Sequence, residues 1–140
     1  MKFKAIKMAL AASMLLGAMS GAALASAEVV VVVNPSNPVA NMTADQVADY
    51  FLGKSTALQP VDLPESSATR TQFYQKVTGK DAAQVKAVWT RLIFTGKATP
   101  PKEVSSSADV KKTVAGNDKA IGYIEKSAVD SSVKVVFTAP

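Results

Sequence analysis

Five consecutive valines, Val29 to Val33, constrain this 140-residue chain more than any other feature. β-Branched side chains favour extended backbone, and a run this short, closed by Asn34-Pro35, is a strand rather than a helix. A strand with no polar face must be covered on both sides, which predicts an α/β sheet with helices on both faces instead of an antiparallel meander. The remaining sequence supplies the covering elements. Thr43-Ala44-Asp45-Gln46 has capping-box spacing, and Val47, Tyr50 and Phe51 carry an apolar stripe up to Gly53. Leu58 to Leu63 is a second strand, placed near a sheet edge or begun after Pro60, because proline donates no ladder hydrogen bond.

Downstream, Ser66 or Ser67 caps a helix that turns Phe73 and Val77 to the core and ends before Gly79. Asp81 and Gln84 open another, whose buried stripe is Val85, Val88, Trp89, Leu92 and Ile93 at helical spacing. Ala98 to Ser107, with Pro100-Pro101, is a connector. Ser106 or Ser107 caps a short helix bearing Val110 and Val114, and Ala120 to Glu125 and Val133 to Phe137 are the last strands, separated by a helical turn at Ser127-Ala128. The expected order is β-α-β-α-α-α-β-β, a mixed sheet of about four or five strands.

Residues 1–27 stand apart. Lys2, Lys4 and Lys7 precede an apolar stretch from Met8 to Met19, and Ala25-Ser26-Ala27 offers small residues to a peptidase. The pattern predicts a secretory signal peptide cleaved after Ala27, and an apolar run of 12 residues falls short of the roughly 20 that span a bilayer. Residues 28–140 are then a single periplasmic domain without membrane insertion. With the three leader lysines set aside, 13 basic residues face 11 acids, a net charge of +2. Those lysines are scattered, with no basic stripe interleaved by aromatics, so a nucleic-acid partner is not expected.

The absence of His and Cys removes imidazole and thiolate chemistry: no Ser-His or Cys-His nucleophile, no disulfide, no zinc site of the usual donors. No facing pair of carboxylates is identifiable among the 11 acids. The expectation is a protein that is not an enzyme and holds no metal or cofactor. The segment with most chemical content is the strand, turn and helix start Val61 to Phe73. A hydroxyl-rich helix N-terminus at the end of a strand in an open α/β sheet suits an oxyanion, and the same residues also suit an ordinary cap. The candidate ligand-binding residues are Ser66, Ser67, Ala68, Thr69 and Arg70.

That stretch resembles the phosphate-binding turn of periplasmic phosphate-binding proteins of ABC transporters, the PstS-like family of the type 2 periplasmic binding protein superfamily. There, Arg-x-x-x-Ser-Gly-Thr precedes a helix with a buried Phe. Ser67-Ala68-Thr69 and Phe73 fall on that pattern, Tyr50-Phe51-Leu52-Gly53-Lys54 is similar to the family's Ile-Phe-Leu-Gly-Lys helix end, and Ala120-Ile121-Gly122-Tyr123-Ile124-Glu125 to its Ala-Ile-Gly-Tyr-Val strand. All three segments belong to the family's second lobe, so the resemblance implies a single lobe of a periplasmic-binding-protein-like fold, half of a clamshell. It implies phosphate or a related oxyanion as ligand, an ABC permease or another envelope protein as partner, and a homodimer as one way to rebuild the cleft. Two residues depart from the pattern: Leu63 stands where the phosphate-pairing Arg is expected, and Ala68 replaces the Gly that admits close approach of an anion. The alternative expectation is therefore a single-lobe interaction or accessory module that has lost solute binding.

Overall fold

A computed structural model of the chain describes residues 28–139; the expected leader and its cleavage after Ala27 lie outside them. The described elements run β1 (Val29–Val33), α1 (Ala44–Phe51), β2 (Gln59–Asp62), α2 (Ala68–Thr78), α3 (Ala82–Phe94), β3 (Lys102–Glu103), α4 (Ser107–Ala115), β4 (Ala120–Glu125), a 3-10 turn (Lys126–Ala128) and β5 (Lys134–Ala139). Five strands form one mixed sheet in the order β3-β2-β4-β1-β5.

The valine strand is buried at every residue, as its composition requires. Its pairing is nonetheless antiparallel with both neighbours, β4 and β5. Burial on both faces constrains what lies above and below a strand and says nothing about the direction of the strands beside it. On the other half of the sheet, β2 runs parallel to both β4 and β3. Pro60 sits inside β2 opposite Ile121, and Gln59 donates its N–H toward β4, to the Lys119 carbonyl at 2.7 Å. The nitrogen of Pro60 therefore faces the other side, where β3 has not yet begun, since that pairing starts at Val61. The connector from Ala98 to Ser107 thus contributes an edge strand that its two prolines conceal in the sequence.

Helices cover both faces. On one, Phe51 of α1 and Phe73 and Tyr74 of α2 pack on Tyr123 of β4, with Phe73 and Tyr123 stacked at 4.0 Å between ring centroids. On the other, α4 settles over Gly122, where a Cβ would lie 2.6 Å from Val110 Cγ1 and 3.3 Å from Val114 Cγ2. Alternation along β4 separates these faces, with Ile121 and Tyr123 toward the aromatic side and Ala120, Gly122 and Ile124 toward α4. Asn34, just past β1, ties the layers together by donating to the Val114 and Ala115 carbonyls at 3.0 Å, so the end of α4 is capped across the chain.

The helix starts follow local chemistry. Thr43 with Gln46 and Asp81 with Gln84 form reciprocal capping boxes, Ser67 accepts from the Arg70 N–H, and Ser106 from the Asp109 N–H. Trp89 is a core residue whose indole N–H donates to the Phe51 carbonyl at 2.9 Å. The expected stripe of α3 fails at its last member: Ile93 is 49 % exposed, because α3 packs on α2 at the rim rather than on the sheet.

Candidate functional site

The carboxyl ends of β2, β3 and β4 converge where the chain turns from Asp62 into α2. In open α/β sheets the loops at these ends face the crevice in which ligands are held. Pro64 to Ser67 makes that turn, closed by the Ser67 N–H donating to the Pro64 carbonyl at 2.8 Å. Ser66 is exposed, and Ser67 is the N-cap of α2, its hydroxyl accepting the Arg70 N–H at 3.2 Å. Ala68 and Thr69 occupy the first turn, where amides have no partner within the helix. The sequence-expected residues 66–69 are thus brought together on one helix start.

Two side chains there are already engaged. The Thr69 hydroxyl donates to the Glu125 carboxylate at 3.3 Å across from the end of β4. Arg70 turns back along the strand end instead of out over the helix start. Its Nη1 donates to the Leu63 carbonyl at 2.9 Å and lies 3.7 Å from Asp62 Oδ2 and 4.0 Å from Glu103, with the side chain 13 % exposed. The guanidinium expected by resemblance at position 63 is therefore present beside that position, supplied from position 70 while the Leu63 side chain is buried.

What holds Arg70 is a buried polar cluster that no short-range sequence pattern announces. Asp62, 4 % exposed, accepts from the Tyr74 hydroxyl at 2.5 Å, from the Tyr123 hydroxyl, and from the Leu63 N–H at 2.9 Å. The Leu63 N–H is shared with the Tyr123 oxygen at 3.2 Å, and the Arg70 guanidinium lies 5.3 Å from the centre of the Tyr74 ring. Burial pushes the Tyr123 phenol well above its ordinary value, and the Asp62 charge and hydrogen bond add to the rise. Tyr74 moves the same way for the same causes, partly opposed by Arg70. Both phenols stay protonated and donate, which is what a buried carboxylate needs. Tyr74 lies 12 residues from Asp62 and Tyr123 lies 61 away, so no short-range pattern could have joined them.

Beside this cluster opens a cleft of ≈ 330 Å³ lined by Asp62, Glu65, Arg70, Lys86, Trp89 and Glu103 among others. Glu65 is exposed at its edge, before the N-cap. Three carboxylates and two cations line the cleft, so it does not attract anions by net charge; the anion-suited surface is the helix start itself. Among the described residues no group of acidic side chains is gathered in a way that would hold a metal ion.

Comparison with solved structures finds the same fold in phosphate-transport receptors. An ABC-type phosphate transport receptor from Vibrio cholerae superposes with a TM-score of 0.62 at 22% identity, covering 89% of this chain and 55% of that one. A putative phosphate ABC transporter substrate-binding protein with bound phosphate from Clostridium perfringens gives 0.63 at 20% identity, covering 94% and 63%. PstS from Borrelia burgdorferi gives 0.60 at 10% identity, covering 94% and 65%. The chain has the fold of one part of a phosphate receptor. It spans less than two thirds of each of these three chains, which fits a single-lobe resemblance. No family model matches the chain, and no curated protein does either. No helix among the described residues is long and apolar enough to cross a membrane.

Proposed function

We propose that this chain is a periplasmic, PstS-like solute-binding lobe that receives phosphate or a related oxyanion at the start of α2, without covalent chemistry and without a cofactor. The observation that carries the reading is the position of the Ser67-capped helix start, at the carboxyl end of β2 between two parallel neighbours. Ser66, Ser67, Thr69 and the first-turn amides of Ala68 and Thr69 are the donors, and Arg70, whose Nη1 donates to the Leu63 carbonyl at 2.9 Å, contributes the field of its positive charge. Glu125 selects among anions. A carboxylate repels an anion unless the anion brings a proton to share, which hydrogen phosphate does and sulfate does not. One helix start leaves half of a ligand's surface uncovered, so a second body, either another copy or an envelope partner such as a permease, completes the site.

A second reading, an interaction module that has lost solute binding, draws on a specific observation: Thr69 and Arg70, two of the strongest donors, are committed to Glu125 and to Asp62 with Leu63. Calorimetric titration of residues 28–140 with phosphate and with sulfate, at an oligomeric state measured by light scattering, separates the two. Micromolar phosphate binding that weakens about tenfold or more in Thr69→Val and is absent for sulfate supports the receptor. No heat and no thermal shift at millimolar phosphate leaves the interaction module.

A further inference from the structure

Helix α3 has a second side that the core does not use. Ala83, Ala87, Thr90 and Phe94 follow one another at spacings of four, three and four and are all exposed, on the side of the helix away from Val85 and Trp89. Phe94 is 91 % exposed and its neighbour Ile93 49 %; they are two of only three large apolar side chains exposed among the described residues. Burying neither, the fold leaves both at the last turn of one helix.

The same segment concentrates the charge. From Lys80 to Lys102 there are five cations, Lys80, Lys86, Arg91, Lys97 and Lys102, against the single acid Asp81, a net charge of +4. The rest of the described chain carries eight basic and ten acidic residues, a net charge of −2. None of the five cations is in an ion pair among the described residues, whereas Arg70, Lys111 and Lys126 are. The cleft on the Ile93 flank, which Lys86 and Thr90 also line, holds three carboxylates, Asp62, Glu65 and Glu103, together with Arg70, and Arg91 lies outside that lining.

An exposed aromatic at a helix end, a shallow stripe of small side chains, and unpaired cations on the flanks are the features of a helix that lies in the headgroup layer of an anionic bilayer. A second copy is disfavoured by charge, because a symmetric contact would set Lys86 and Arg91 against themselves. We propose that the outer face of α3 docks on an anionic lipid surface, with Phe94 and Ile93 among the headgroups and Lys86, Arg91 and Lys97 against their phosphates. At 13 residues the helix is about 20 Å long and rests on the surface without crossing it. The inference stands apart from the oxyanion reading and needs no phosphate in solution.

Vesicle co-sedimentation in phosphate-free buffer tests it, with residues 28–140 and the full chain in parallel, on phosphatidylcholine alone and on phosphatidylcholine mixed with phosphatidylglycerol. The expected result is weak binding to the anionic vesicles only, falling as salt rises from about 0.1 M to about 0.5 M. Phe94→Ser lowers the partition about fivefold and Arg91→Glu about tenfold, with thermal unfolding unchanged in both. A Phe94→Trp variant reports insertion by a blue-shifted emission that brominated lipids quench. The apolar stretch Met8 to Met19, with Lys2, Lys4 and Lys7 before it, adds its own vesicle binding, stronger on anionic lipid, so the variant differences are the readout for the full chain. Equal binding to neutral vesicles by residues 28–140, indifference to both substitutions, or no binding overturns the proposal. A dimer that Phe94→Ser dissolves would reassign the face to a second copy, and capture by an acidic polypeptide with no vesicle binding would reassign it to a protein.

Discussion

Helices α2 and α3 follow each other in sequence, α3 starting from the fuller cap, and end in opposite circumstances. α3 carries the cleaner apolar stripe, yet it buries only Val85 and Trp89 and leaves Ile93 and Phe94 in solvent. α2 has the weaker pattern, yet it buries Phe73, Tyr74 and Val77 and closes over Asp62. The difference is what each helix lies against. α2 lies on the sheet beneath the aromatic cluster, whereas α3 lies on α2 at the rim. Periodicity states that a helix has an apolar side; the depth of the surface it meets decides how much of that side disappears.

The sharpest way to test this asymmetry is to remove one ring from α2. Phe73→Ala deletes a fully buried side chain stacked on Tyr123 and is expected to cost about 3–5 kcal/mol in urea unfolding. A loss under about 1 kcal/mol would place α2 at the rim with α3. Next in size is Asp62→Ala, which strands two buried hydroxyls and a mostly covered guanidinium and is expected to cost about 2–4 kcal/mol. Tyr123→Phe, which removes one donor to the Asp62 carboxylate and one acceptor for the Leu63 N–H while keeping the ring, should cost about 1.5–3 kcal/mol by the same measurement.

Alkaline pH probes the same cluster without mutation. Tyr74 and Tyr123 are raised in the folded chain, so their contribution is fully present below the unfolded phenol value of about 10 and is lost as pH rises from there toward the folded values. Each phenol then removes about 1.4 kcal/mol of stability per pH unit above 10. Phenolate absorbance of these two residues should therefore appear together with loss of tertiary circular dichroism. Phenolate appearing from both while the fold persists would contradict their burial. The smallest effect belongs to α3: Phe94→Ser is expected to change stability by less than about 0.5 kcal/mol, since 91 % of the side chain is already in water.

Much of this was readable in advance because it is local. Capping involves groups three residues apart, so the chain declares Thr43 and Asp81 outright and narrows the other two to Ser66 or Ser67 and to Ser106 or Ser107, of which the structure uses Ser67 and Ser106. The likeness to a phosphate-receptor lobe, carried by Tyr50 to Lys54, Ser67 to Thr69 and Ala120 to Glu125, holds at the level of the fold. The edge strand Lys102–Glu103 was hidden because it is only two residues long and follows two prolines; it exists through pairing with Val61 and Asp62. At residues 66–70 the structure adds where Thr69 and Arg70 point, toward Glu125 and toward Leu63 with Asp62.

By itself the sequence determined that β1 is covered on both faces, where the helices begin to within one residue, and that no imidazole or thiol chemistry is available, because these depend on residue identity and short spacing. Only the tertiary structure decided that β1 runs antiparallel to its neighbours, that Arg70 returns to Leu63 and Asp62, and that Ile93 stays in water. Each of these depends on groups brought together from distant parts of the chain, and the free energy of such contacts is set by burial and direction in the folded state, which spacing along the chain does not encode.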